Sequence, residues 1–279
     1  MERNLVNLMV IHMITIITKT FIFFMKFQAT SYHFDLLKDT DRVSAFFEAI
    51  SDYSNNTDLA YDLGCGSGVL SYFLNQKFDE IISIEIDSKA SDCASNNLRK
   101  FNNIEVINED VLKYNFTKKA DLIVCEMLDT ALIDEEEVQV LNHARKFLKD
   151  DGEIIPKAII NFAELVHMQR HYLHWDENAK YEILSNPVNY SKIVFKNEIN
   201  PNFEKDIEFN VIEDGIVNGI KITSVTILND EIVCGPTPMF NPPLLVPLDE
   251  LDVKCNDLIN VKLKYIMGQG IETIETQIL

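Results

Sequence analysis

Asp62-Leu63-Gly64-Cys65-Gly66-Ser67-Gly68 stands between the apolar residues Leu59 to Tyr61 and the helix-like run Val69 to Leu74, so an acid and three glycines bridge a strand and a helix. Glycine turns the backbone sharply and admits a ligand to van der Waals distance of the main chain, while the helix on its C-terminal side offers N–H groups without intrahelical partners. The stretch reads as a nucleotide-cofactor loop in an α/β sheet, and the strands downstream of it decide that reading.

The first of these is Ile81-Ile82-Ser83-Ile84-Glu85-Ile86-Asp87, a β-branched segment of strand length whose Glu85 lies 23 residues beyond Asp62. A carboxylate at the end of a second parallel strand can accept both hydroxyls of a ribose lying across the sheet edge. A third strand, Ile104 to Ile107, leads into Asn108-Glu109-Asp110-Val111, where Asp110 can accept from an adenine amino group beside the apolar Val111. Asp62 separates two kinds of cofactor. Just before the glycines a carboxylate repels a pyrophosphate but suits a cationic, zwitterionic molecule. With Asp62, Gly64, Gly66 and Gly68 in this order, the chain resembles the class I S-adenosylmethionine-dependent methyltransferases. The resemblance implies S-adenosyl-L-methionine as cofactor.

A chain of 279 residues, 47% hydrophobic, can bury one sizeable core and a smaller one. Cys65, Cys93, Cys125, Cys234 and Cys255 show no metal-ligand spacing and read as reduced thiols in a cytoplasmic protein. The net charge of −19 disfavours a nucleic-acid partner and draws a basic protein or peptide toward the surface. Leu5 to Phe24 is almost wholly apolar. Residues 1–24 read first as an upstream extension from a misplaced start codon, with Met25 as the true start; a membrane or signal segment and a packed helix are the alternatives.

Val43, Phe46, Phe47, Ile50 and Tyr53 recur at helical spacing from Asp41 onward. Strands then alternate with helices over 59–64, 67–77, 81–86, 88–100, 104–107, 121–125, 136–148 and 153–155, which predicts a doubly wound, Rossmann-like sheet covered on both faces. After Pro156, short β-branched segments such as Ile159 to Leu165, Ile220 to Leu228 and Leu258 to Tyr265 predict an antiparallel, β-rich second domain. The expected organisation is a cofactor domain over 25–156 and a β-rich substrate domain over 157–279.

The strand Asp121 to Cys125 runs straight into Glu126, at the sheet edge where ligands bind in open parallel sheets. Glu135 comes nine residues later, about 900° around a continuous helix, so the two acids converge only if the segment loops back. Glu135 to Glu137 also suit the first turn of the helix over 136–148 through its dipole. Together these residues resemble the protein arginine methyltransferases, whose glutamate loop sets two glutamates nine residues apart after this strand. Leu37-Lys38-Asp39-Thr40-Asp41-Arg42 resembles the family's Leu-Lys-Asp-x-x-Arg helix, and Ala144-Arg145 with Asp151-Gly152-Glu153-Ile154-Ile155-Pro156 resembles the end of its cofactor domain. A β-barrel succeeds that proline in the family. The resemblance implies Glu126 and Glu135 as catalytic residues, Arg42 on the cofactor carboxylate, Glu85 on its ribose, and Asp110 with Val111 at its adenine.

A guanidinium keeps its proton to about pH 12.5 or above, and its lone pairs are delocalised. Two carboxylates answer both obstacles by holding the planar cation and concentrating its charge away from the reacting nitrogen. In-line positioning against a sulfonium can supply about 7–11 kcal/mol.

Departures from that family are specific. Its barrel carries a Thr-His-Trp loop, whereas this chain has no histidine after His174 and no tryptophan except Trp175. Thr237-Pro238-Met239-Phe240-Asn241-Pro242-Pro243 stands in the expected place, and Asp129 replaces a glycine usual within the glutamate loop. The second half is short for a barrel plus the arm through which the family dimerises, so a homodimer is an expectation of the resemblance alone. His167, His171 and His174 have spacings that place three imidazoles on one helical face; an aromatic interface with Trp175 is the expected use, and no metal is expected. Two further functions stand beside methylation of a protein arginine. One is methylation of RNA or a small molecule; the other is a non-catalytic sensor or scaffold that binds the cofactor.

Overall fold

Leu59-Ala60-Tyr61, Ile81-Ile82 and Leu122-Ile123-Val124 recur between helix-compatible runs. The computed structural model, which describes residues 27–175, 178–237 and 239–279, assembles these segments into one parallel sheet. The chain divides into two units: the first runs to Glu126 and takes in His143–Ile155, and the second is Met127–Asn142 with Pro156–Leu279. The apolar stretch within residues 1–24 lies outside the described residues, among which no helix is long and apolar enough to cross a membrane.

The first unit opens with helices α1 (Ser31–Lys38) and α2 (Thr40–Asp52). Asp39, between them, accepts from the Arg42 amide at 3.2 Å and so caps α2. Val43, Phe46, Ala49 and Ile50 form the buried stripe of α2. There come next β1 (Leu59–Leu63), α3 (Val69–Leu74), β2 (Glu80–Glu85), α4 (Ser88–Leu98), β3 (Ile104–Asn108) and β4 (Ala120–Cys125); α5 (Glu137–Ala144) lies mostly in the second unit's segment, and β5 (Leu148–Ile155) returns to the first. The strand order is β3-β2-β1-β4-β5, every pair parallel. Every residue of β1 and β4 is buried, as a sheet covered on both faces requires. From β1 the chain winds outward through β2 and β3, then returns to add β4 and β5 on the other side. The carboxyl ends of β1 and β4 therefore flank the switch point, where such sheets bind ligands.

Several expected elements differ in extent: the helix expected over 67–77 is only α3, Val69–Leu74, and that over 88–100 ends at Leu98. The helix expected over 136–148 is α5 continued by a 3-10 turn at Arg145–Phe147. β5 begins at Leu148, five residues before the expected 153, because an edge strand tolerates the exposed Asp150 and Asp151 that obscure its pattern.

The second unit is β-rich and barrel-like, built from a seven-stranded and a three-stranded antiparallel sheet. Its long central strands are Ala158–Met168, Gly215–Ile227 and Leu244–Val253. The helical face expected for His167, His171 and His174 does not form: His167 belongs to the strand Ala158–Met168 and His174 to the short strand His174–Trp175. Spacings of four and three arise here from a strand and the turn after it. Each imidazole meets a different carbonyl, those of Ile216, Leu248 and Tyr172, at 2.6–2.9 Å. Among the described residues no group of His, Cys, Asp or Glu is arranged to hold a metal ion.

Candidate active site

Gly64, Gly66 and Gly68 all take positive φ, at 72°, 55° and 86°, a backbone that side chains oppose. The amides of Gly64 and Cys65 donate to Ile84 O at 2.9 and 3.1 Å, so the loop turns over the end of β2. Asp62, facing Ser83 of β2 in register, is 1% exposed and accepts from the Ser71 hydroxyl. Ser71 and Ser83 hydroxyls lie 2.8 Å apart. Burial pushes the Asp62 carboxyl up to about 7, with Glu85 and Glu126 adding to the rise and the Ser71 bonds opposing it.

Glu85 closes the loop from below. Its Oε2 accepts from the Gly66 amide and its Oε1 from the Asp87 amide, both at 2.8 Å. A carboxylate has about four acceptor positions, so two remain for hydroxyl donors. The Glu85 carbonyl takes the Glu109 amide at 3.1 Å and the Asn108 side chain at 2.8 Å, tying the end of β3 to the same place. Asp110 pairs with Lys113 at 3.0 Å, and that bond, with the Leu112 amide, holds its carboxyl below the usual range. Val111 beside it is buried.

Arg42, 3% exposed, sends Nη2 to Leu36 O at 3.0 Å and Nη1 to Oε2 of Glu126, the residue immediately after β4. Its Nε is buried with no hydrogen-bond partner among the described residues. A guanidinium edge in that state is an open donor for a carboxylate.

Two further residues of this edge, His33 and Asn97, carry no motif in the sequence. A Cβ built on Gly66 would lie 2.6 Å from the His33 ring, so the imidazole covers the glycine loop. Burial lowers the His33 pKa against the opposing charges of Glu85 and Asp87. Its one local sign is position, one turn before Leu37 on the helix that leads to Arg42. Asn97 of α4 donates to Ser67 O at 2.9 Å and Gln28 O at 2.7 Å and accepts from the Gln28 amide at 2.7 Å, clasping the loop to the segment before α1.

Glu135 falls in the second unit. It is exposed, and partial desolvation, with Asp134 and Glu136 alongside, raises its pKa. Just before it, Ala131 and Leu132 both take φ of 61°, a strained value for residues with a Cβ. Thr130 donates to Pro242 O, and the Ala131 amide donates to Ser224 Oγ at 2.9 Å, which donates to Asn161 at 2.7 Å. Pro242 belongs to the segment that stands in place of the Thr-His-Trp loop. There Thr237 and Phe240 exchange backbone bonds at 2.8 and 3.0 Å, and the buried Asn241 donates to Thr226 at 2.9 Å.

The first unit's edge suits an amino acid joined to a nucleoside. It holds a glycine whose Cβ would strike the His33 ring, a carboxylate with acceptor positions to spare, and a guanidinium nitrogen without a hydrogen-bond partner among the described residues.

A family model described as a methyltransferase domain matches residues 60–152. An uncharacterized protein of Methanothermobacter thermautotrophicus is 44% identical over 256 residues, 91% of this chain and 100% of the relative. The histone-arginine methyltransferase CARMER of Drosophila ananassae is 27% identical over 165 residues, 56% of this chain and 29% of that protein. Among solved structures, the Trypanosoma brucei PRMT1 enzyme-prozyme heterotetrameric complex with AdoHcy matches with a TM-score of 0.74 at 14% identity, over 89% of this chain and 96% of that one. At that identity the likeness is one of fold.

Proposed function

We propose, for a chain that belongs to the class I S-adenosylmethionine-dependent methyltransferases and takes S-adenosylmethionine as its cofactor, that the methyl group goes to the guanidinium of an arginine in a basic protein segment. The observation that carries this reading is Glu126, placed directly after β4 at the switch-point edge and paired with Arg42, with a second glutamate nine residues on. Similarity to CARMER over 165 residues supports it.

The bound cofactor supplies a methyl group already activated on a sulfonium. The chain's own residues do the rest. Arg42 directs Nε at the cofactor carboxylate, Glu85 receives the ribose hydroxyls, and Asp110 with Val111 borders the adenine. Asp62 ties the end of β1 to α3 through Ser71 and so brackets the glycine loop, and a bound cationic ligand would favour its ionised form. Glu126 and Glu135 accept from the arginine N–H groups, hold the guanidinium plane and draw its charge from the attacking nitrogen. In this reading residues 25–156 hold the cofactor and 157–279 contact the substrate. The charge of −19 favours a basic segment.

Purified protein would be incubated with methyl-labelled cofactor and an extract of its own cells, with Glu126→Gln in parallel. Protease-sensitive label that yields methylarginine on hydrolysis, lost in the variant while cofactor binding persists, is the expected result. Ribonuclease-sensitive label would move the acceptor to RNA. Cofactor binding without label in either protein would identify a sensor.

A further inference from the structure

The backbone between the two glutamates is held on one side by the second unit's framework. Leu132 O accepts from the Gly268 amide at 3.0 Å, and Ile133 O accepts from the Gly270 and Gln269 amides at 3.0 and 3.1 Å. With the Ala131 amide on Ser224, these bonds secure the strained pair Ala131 and Leu132, whose side chains are fully buried. Beyond Ile133 the side chains of Asp134, Glu135 and Glu136 turn out to solvent.

There the holding group is a side chain. Oδ2 of Asp129 accepts from the Ile133 amide at 3.2 Å and the Asp134 amide at 3.1 Å, and Oδ1 accepts from the Glu135 amide at 3.3 Å. Three consecutive amides thus converge on one carboxylate, the last belonging to Glu135. We propose that Asp129 is a positioning residue for Glu135: it fixes the backbone from which that glutamate reaches the acceptor, and so sets how tightly the acceptor cation is held. The inference rests on the reading of Glu135 given under the proposed function. In this role Asp129 acts through the backbone of Glu135, whose amide its Oδ1 holds, and not on the acceptor directly.

Its protonation state matters because only the ionised form offers acceptors alone to those amides; a protonated carboxyl directs an O–H toward a donor. Burial pushes the Asp129 carboxyl up to about 7, with the charge of Glu135 adding to the rise and the three amide bonds opposing it. The groups around it are Asp134, Glu135 and Glu136 on its own segment and the buried phenol of Tyr265, on the strand Leu258–Ile266, whose pKa Asp129 helps to raise. Protonation as pH falls through about 7 therefore weakens the clasp on Glu135.

The test uses full-length protein, an unstructured arginine-containing basic peptide as acceptor, and Asp129→Asn, Asp129→Glu and Glu135→Gln beside wild type. Asn presents an N–H₂ where an amide donor needs an acceptor, so Asp129→Asn is expected to raise the peptide KM about tenfold or more with cofactor affinity unchanged. At saturating cofactor the acid limb of the peptide's kcat/KM near pH 7 should shrink in that variant, Asp62 keeping its own share, and Asp129→Glu should restore part of the affinity. Hydrogen exchange at the Asp134 and Glu135 amides should quicken in Asp129→Asn, showing that the folded loop has loosened. Quickened exchange with unchanged KM and pH profile would overturn the proposal and leave Asp129 a purely structural cap. If Asp129→Asn does not fold, Asp129→Ser, which keeps one acceptor oxygen, carries the same comparison. Glu135→Gln separates the two readings. If that variant transfers methyl as well as wild type, the role given to Glu135 fails; if it loses transfer while Asp129→Asn does not, only the positioning role fails.

Discussion

Arg42 and Glu126, 84 residues apart in sequence, meet through Nη1 and Oε2 with side chains 4% and 12% exposed. The residue that faces the cofactor carboxylate in the proposed reaction is therefore the one that orients the first acceptor glutamate. Removing one partner of a buried pair strands the other, at a cost of about 3–5 kcal/mol. Arg42→Ala is expected to destabilise the protein by about that amount and to weaken cofactor binding, and Glu126→Gln by less, because an amide oxygen still accepts from Nη1. A double-mutant cycle read by denaturant unfolding should give a coupling of about 0.5–3 kcal/mol; a value near zero would mean that the two side chains act separately.

Gly66 carries two constraints at once, a φ of 55° and an imidazole 2.6 Å from where a Cβ would stand. Gly66→Ala is expected to lose about 1–3 kcal/mol of stability and to displace His33. Adding His33→Ala should recover the steric part and leave the conformational part. Thermal unfolding of the two single variants and the double would show non-additivity of that sign.

Asp62 makes stability depend on pH. Its carboxyl is raised from 3.8 to about 7 in the folded chain, so folding favours the protonated form by at most about 4 kcal/mol. The contribution is complete below the unfolded value near 4 and is lost as pH rises through 7. Asp62→Asn, which still accepts from Ser71, should unfold with a flatter pH dependence between these limits. Asp129 titrates in the same range in both proteins, so the difference between the two curves reports Asp62 alone.

A chain of net charge −19 should capture a basic acceptor partly through its long-range field. Raising sodium chloride beyond physiological strength, where screening already acts over about 8 Å, should increase the peptide KM and leave kcat nearly unchanged. Equal KM values at low and high salt would confine recognition to the glutamates.

The sheet and the cofactor loop are legible in the sequence because their signals are local. A glycine at positive φ, an acid closing a β-branched run and a strand leading into Glu126 can each be read within a few residues. The features that escape such a reading depend on residues distant in sequence. His33 gains its place only when α1 lies over Gly66, and Asn97 only when α4 brings it between Ser67 and Gln28. The three histidines mislead for a related reason, since a spacing of four fits a helix until the pairing of Ala158–Met168 with strands on both sides claims His167 for a sheet. Asp129 stands out in the sequence as a missing glycine. Only the folded loop shows what its carboxylate holds.

The chain leaves the first unit after Glu126, gives Met127–Asn142 to the second, and comes back at His143 to supply β5. Neither unit is an uninterrupted stretch of polypeptide. Scission after Ile155 would separate Ala131, Leu132 and Ile133 from the amides and hydroxyl that secure them, while scission after Glu126 would take the edge strand from the sheet. No single proteolytic nick or fusion junction yields two whole modules, and a chimera that exchanges one unit must splice at three places: after Glu126, after Asn142 and after Ile155.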